Sequence, residues 1–395
     1  MAGTPLTRKE ILARLAAAGS FSGADLRGAD MRELNLAGVD FTGADLTQAR
    51  LDGSSLRKAK LSGSRMAGAT IAGTLLLEAT VEVPRILEAD LRGAMLAGSK
   101  FAAADFSGRD LTGCVLAECD LRGAKFSGSR LKGTDFTSAN LEGADFRKAT
   151  MDGPIFDKAN LPKADFAGAA VTAASFAGAS LDGTNLGESR FTSTDFTGID
   201  LSKARIALTA FPKCTLAGVA LAQRDLRKCD FSDADLAGAD LAGANLAEAI
   251  LAKADLTGAK LKGATLTSVS APFAVFDGAD LEGAKLGGAD FKLASFAGAK
   301  LRGANLARAN LHQAVLVKAD FTLAVLHETN LAHADLSFAV VEGADFTKAD
   351  LLGANLHGVR EQVARWDGAN LKLVKRTDMD RLDAEAWKPP PLEKK

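Results

Sequence analysis

Ala234-Asp235-Leu236-Ala237-Gly238-Ala239-Asp240-Leu241-Ala242-Gly243-Ala244-Asn245-Leu246-Ala247-Glu248 is one five-residue phrase written three times. Each phrase holds a small residue, a polar residue, a large apolar residue and two more, the last often glycine. Followed outward, the rhythm runs from Phe21 to Leu356 without slipping. Its 68 large sites are all Leu, Phe, Ile, Val or Met except Ala271. The small site two residues before each is Ala, Ser, Thr, Cys or Val at 61 of 67 positions between Ala24 and Ala354. A fixed short period marks stacked units that extend one core along an axis. The domain prior for 395 residues therefore yields to one array over 21–375, between an N-terminal cap at 1–20 and a C-terminal cap and tail at 376–395.

A period of five matches neither the 3.6 of a helix nor the 2.0 of a strand. Frequent glycine at the end of the unit breaks helices and suits turns. The solution is a coil that turns a corner every five residues, with the large and small sites inside and the other three outside. Four units return the chain above itself, so residues 20 apart stack. Leu121, Leu141, Leu161 and Leu181 then form a ladder, as do Phe106, Phe126, Phe146 and Phe166. Nineteen of the 21 phenylalanines fall on large sites, which makes phenylalanine core rather than binding surface.

Ala24-Asp25-Leu26-Arg27-Gly28-Ala29-Asp30-Met31 and the run 234–249 resemble the A(D/N)LXX motif of pentapeptide repeat proteins. The resemblance implies an all-β fold, a right-handed quadrilateral β-helix. On that reading 68 units make about 17 four-sided coils, with short capping helices at both ends.

A solenoid end exposes core and unpaired backbone, so it needs a lid. Thr7-Arg8-Lys9-Glu10 has the capping-box form, and Ile11, Leu12 and Leu15 supply a stripe. These residues predict a helix over 7–18, with Gly19 as its stop. Residues 377–387 predict a closing helix with Met379, Leu382 and Trp387 inward. The Pro389-Pro390-Pro391 and lysine tail reads as mobile.

Composition narrows the function. A net charge of −1 names neither a polyanion nor a polycation as partner, and tyrosine is absent. Cys114, Cys119, Cys214 and Cys229 all occupy small sites, as inert buried residues rather than zinc ligands or disulfides. No apolar run approaches the length of a membrane span, and a soluble, cytoplasmic chain is expected. The many aspartates recur just before the large site, where a short side chain can bond the turn backbone. Phosphate-loop, zinc-helix and nucleophile-elbow motifs are missing, so no enzyme, cofactor or metal is expected. His312 and His333 fall one coil apart on one face without a carboxylate. His327 and His357 belong to other faces, and all four histidines read as surface.

The informative residues are those that break the rhythm. Glycine vanishes over 74–90 and Pro84 takes a small site, which predicts a bulge. Leu75, Met95 and Val115 form an outward apolar row with Leu77 beside it, a candidate protein-binding surface. Val315, Val317, Leu323, Val325, Phe338 and Val340 make a second candidate zone, in which Val315, Val317, Phe338 and Val340 are the contact residues to test. Arg109 and Arg224 sit at small sites and are expected to snorkel outward. Where Ala271 leaves a gap, Phe273 is expected to fold back and fill it.

Three functions follow. The first is a rigid scaffold or adaptor for protein–protein interaction, non-catalytic, with no nucleic acid bound. The second is implied by the resemblance, since some pentapeptide proteins mimic B-DNA and protect DNA gyrase. The mixed outward row Asp25, Asp45, Arg65, Arg85, Asp105, Lys125 argues against it. The third refines the first. Residues 7–15 followed directly by repeats, and Trp366-Asp367-Gly368-Ala369-Asn370-Leu371, resemble pentapeptide proteins associated with bacterial type VI secretion. That resemblance implies a secretion effector or spike component as partner.

Overall fold

The computed structural model describes residues 4–80 and 83–386. It has two compact units, Met1–Ala210 and Phe211–Lys395. Each is built from the same five-residue turn.

Backbone hydrogen bonding explains the turn. In the first full unit, the large-site N–H of Leu26 donates to Asp45 O on the next coil at 2.9 Å, and Gly28 N–H donates to Thr47 O at 2.9 Å. The polar-site N–H of Asp45 donates back to Ala24 O at 2.9 Å. Ala29 N–H closes the corner on Leu26 O at 3.1 Å. Of the five N–H groups in a unit, only that of the residue after the large site is left over. Asp25 Oδ1 accepts it from Arg27, at 3.2 Å. Buried or half-buried donors must find acceptors, so the recurrent Asp or Asn is the acceptor that completes the coil.

Stacking has the 20-residue register expected. Parallel bridges join Asp25 to Asp45, Asp30 to Arg50, Asn35 to Ser55 and Asp40 to Lys60, four to a coil. In the second unit they run from Thr215–Asp235 to Asn355–Lys375. Among the described residues, β1 (Thr150–Asp152), β2 (Ala170–Thr172) and β3 (Arg190–Thr192) are regular strands that pair in parallel. Pro154, at the small site after β1, has no N–H to close its corner.

The core is the pair of inward ladders. In the first unit Phe126, Phe146 and Phe166 stack at 4.9 and 4.7 Å between centroids. Phe136, Phe156 and Phe176 stack on the adjacent face at 5.0 Å each. The two ladders meet edge to face, as at Phe136–Phe146, 5.7 Å and 87°. In the second unit Leu221, Leu241, Leu261, Leu281 and Leu301 are all buried, and Phe276 stacks on Phe296 at 4.7 Å. Aromatic pairs of this kind add about 0.5–1.5 kcal/mol beyond area burial.

Helix α1 (Arg8–Ala16) has both halves of its capping box, Thr7 and Glu10. It lids the first coil: Ile11 is buried, Arg8 donates to Asp30 O and Arg32 O, and Arg14 lies over the Phe21 ring. The stop is Ala18, at φ 50°, rather than Gly19. Leu12, expected inward, is exposed. The interruption at 74–90 is a helical turn, α2 (Val83–Ile86), rather than a simple bulge. The core register survives it, since Ile86 and Leu91 remain buried at their large sites. Helix α3 (Met379–Ala386) forms near the C-terminus, but Met379 is exposed and Leu382 half-buried. Trp387 and the proline tail lie outside the described residues.

Candidate protein-interaction surface

The outward positions carry the surface chemistry. At the polar site before each large residue, the backbone bridges hold side chains one coil apart. Leu75 bridges Met95, and Met95 bridges Val115. Leu75, Leu77 and Met95 are 42%, 44% and 40% exposed, and Val115 is half-buried. The row predicted from spacing is therefore a contiguous apolar strip on a mostly polar face. Val115 bridges Asp135, which bridges Ile155, also exposed. Ile155 extends the strip past one aspartate and was legible at 40 residues beyond Val115. Beside Leu77 a cavity of about 360 Å³ opens, lined by Leu76, Glu78, Ile86, Leu96 and Phe101.

The second zone divides. Val315, Val317 and Phe338 share one face, since Val315 bridges Ser295 and Asp335. Val340 bridges Asp320 and Arg360 on a neighbouring face. Val325 bridges Asn305 and Asp345 on another. One corner separates Val340 from the Val315 face and two separate Val325 from it, so these residues do not lie on a single face. Val315 is exposed, whereas Val317, Phe338 and Val340 are half-buried.

Two expectations are overturned. Phe273 does not fold back; it sits at the second turn position, which points outward, and is 52% exposed while Ala271 is buried. His357 is not a surface residue: it is buried against α3. His312 and His333 do meet, edge to face at 5.7 Å. No group of three or more metal-ligating residues forms among the described residues. Arg109 reaches solvent, and Arg224 is half-buried.

Many charged residues pair within or between neighbouring units. In Asp25-Leu26-Arg27 the guanidinium grips its own unit's carboxylate, Nε to Oδ1 at 2.9 Å and Nη2 to Oδ2 at 2.7 Å. Asp30–Arg32, Asp120–Arg122, Asp145–Arg147 and Asp225–Arg227 repeat the fork. The bidentate Arg bond holds the Asp25, Asp120 and Asp145 carboxyls below the usual carboxylate range. All four cysteines are buried. Burial pushes the Cys114 thiol far up and Cys119 to about 11.

Models of pentapeptide repeats match eight segments, from 20–57 and 41–76 through 214–267 and 274–313 to 324–360, which together span more than half of the chain. A second pentapeptide repeat model matches 136–180. Among solved structures, HetL, a pentapeptide repeat protein involved in heterocyst differentiation regulation from the cyanobacterium Nostoc sp. strain PCC 7120, is 24% identical; the match covers 72% of this chain and 87% of that one, with a TM-score of 0.23. A pentapeptide repeat protein from the Arabidopsis thaliana thylakoid lumen is 31% identical over 23% of this chain and 67% of its own, TM-score 0.20. Full-length QnrB1, a plasmid-mediated fluoroquinolone resistance protein, is 19% identical over 55% of this chain and 100% of its own, TM-score 0.24. No curated protein matches. No helix among the described residues is long and apolar enough to cross a membrane.

Proposed function

The chain belongs to the pentapeptide repeat family, and from that premise we propose that it is a non-catalytic scaffold whose partner protein docks on the Leu75–Met95–Val115 strip. The observation that carries this reading is the strip itself. Three large apolar side chains stand in consecutive bridge register on the outside of the coil, where the repeat mostly places Asp, Asn, Lys, Arg, Thr or Ser. Leu77 and the adjacent cavity widen it into a site that an apolar side chain of a partner could enter. The aspartates support a non-catalytic role, since their Oδ1 atoms accept turn amides. Val315, Val317 and Phe338 are a second contact patch, and Val340 on its neighbouring face is an independent one. A secretion effector or spike component is the partner class that the resemblance of the ends suggests. A cytoplasmic location is part of the same proposal.

The test is affinity capture with wild type and with Leu75→Asp/Met95→Asp. Both side chains point outward, so the coil should fold unchanged, which amide exchange of the flanking coils would verify. Loss of the captured partner from the variant is expected. Equal capture by both proteins would remove the strip as the site.

A further inference from the structure

We propose that α3 is a detachable cover over the Phe338 patch, held shut by His357. The proposal rests on the reading of Val315, Val317 and Phe338 as a contact patch. It commits to α3 as the occupant of the Phe338 end of that patch in the closed state, while Val315 stays exposed.

Comparison of equivalent positions shows that something covers the patch. Phe273, Leu323 and Phe338 occupy the same slot of the repeat, the second residue after a large site. Phe273 and Leu323 are more than half exposed, yet Phe338 is only half-buried surface. His312 and His357 share the slot before it; His312 is half-buried, while His357 is 2% exposed. The difference is α3. Lys318, Phe338, Leu382 and Glu385 line an open groove of about 340 Å³ between helix and coil. The Phe338 ring stands edge-on to the His357 imidazole, at 5.3 Å and 90°.

The hold is polar. Asp378 N–H donates to His357 Nδ1 at 3.3 Å, just ahead of the helix, and His357 Nε2 meets Glu385 Oε2 at 3.2 Å, near its end. These partners assign the neutral tautomer with hydrogen on Nε2, so that one imidazole pins both ends of α3. Arg381 Nε donates to the other Glu385 oxygen at 2.7 Å and orients it. Apolar contact adds little, because Leu382 is half-buried and Met379 is exposed. An eight-residue helix is not stable alone in water, so undocking and unfolding of α3 are one event. Release bares Phe338 together with Val317 and Lys318, one coil earlier on the same face.

Amide exchange on the full chain tests this. In wild type the 379–386 amides should be protected. In His357→Ala and Glu385→Ala they should exchange at least about tenfold faster, with the 330–356 coil amides unchanged. Glu385→Ala leaves every coil residue intact, so its effect cannot come from a damaged coil. An apolar fluorescent dye, bis-ANS, should bind His357→Ala more than wild type, and the added Phe338→Ala change should abolish the gain. Exchange of wild-type α3 at free-peptide rates, or equal protection in all variants, would overturn the latch. Faster exchange with no gain in dye binding would overturn the covering role. None of these measurements involves a partner, so they stand or fall apart from the capture experiment.

Discussion

Asp235 tests whether the aspartates are architecture or charge. Its Oδ1 accepts the Ala237 N–H at 2.9 Å, and with alanine at 237 there is no arginine to form a fork. Asn245 and Asn305 do the same task for Ala247 and Ala307, at 3.1 and 3.0 Å. Oxygen geometry rather than charge is therefore what the turn needs. Asp235→Ala removes the acceptor and leaves one amide to water or to nothing, a cost of about 1 kcal/mol. Asp235→Asn keeps the acceptor and should cost about 0 on the same scale. A repeat array does not unfold as one two-state unit, so a single midpoint would blur the effect. Local amide exchange over 230–245 resolves it. About 1 kcal/mol corresponds to roughly fivefold faster exchange at Ala237, expected for Asp235→Ala and absent for Asp235→Asn. Equal acceleration in both variants would show that the negative charge, not the hydrogen bond, holds the turn, and the backbone accounting would fail.

Other consequences follow from the same structure. Burial leaves the cysteines as thiols, with Cys119 at about 11 and Cys114 pushed further, so native protein should resist a disulfide reagent that labels all four after denaturation. Val363 is β-branched at φ 51° and exposed; Val363→Gly should therefore stabilise the last coil by roughly 1 kcal/mol, read as slower amide exchange around it. Phe146 contacts Phe126 and Phe166 by stacking and Phe136 and Phe156 by edges; Phe146→Ala should cost about 3–5 kcal/mol, measured as local opening of 121–170. The arginine-paired carboxyls at Asp25, Asp90, Asp120, Asp145 and Asp225 lie below their usual range in the folded chain. A lowered folded value contributes stability above the unfolded one and loses it as pH falls through the folded one. Circular dichroism should therefore hold steady from neutral pH down to about 4 and decline below it.

What could be read from the sequence was whatever depended on period alone. The large and small sites, the phenylalanine ladders and the Leu75–Met95–Val115 row depend only on counting by five and by 20, and the bridges reproduce them. The division of the second zone was equally available, because Val315 and Val340 precede large sites of different faces. His357 was not available. Its slot points outward, and its burial comes from a helix that begins 22 residues later and returns to that face. Phe273 was misjudged for the opposite reason. The demand to fill the space beside Ala271 suggested an inward ring, but a left-handed turn residue, φ 61°, projects its side chain away from the coil. Pro84 marked the interruption correctly and its form incorrectly. A proline that cannot serve the ladder can equally begin a helical turn, and α2 contains it.

Charge bears directly on which partner the surface suits. A mimic of a phosphate backbone needs carboxylates that project an unscreened field. Here arginines two residues on capture Asp25, Asp30, Asp120, Asp145 and Asp225. Between coils, opposite charges stand 20 apart: Lys58 with Glu78, Lys132 with Asp152, Lys228 with Glu248, Lys262 with Glu282 and Arg308 with Glu328. Exposed pairs of this kind contribute little stability each, but they cancel the field at the distance of one side chain. Long-range steering is correspondingly weak, and a partner gains little by approaching any particular face until it touches. On the proposed docking role, selectivity comes from short-range contact at Leu75, Met95 and Val115, where apolar residues replace the polar one. Locally paired charge then leaves electrostatics a minor part in choosing the partner, and apolar contact the larger one.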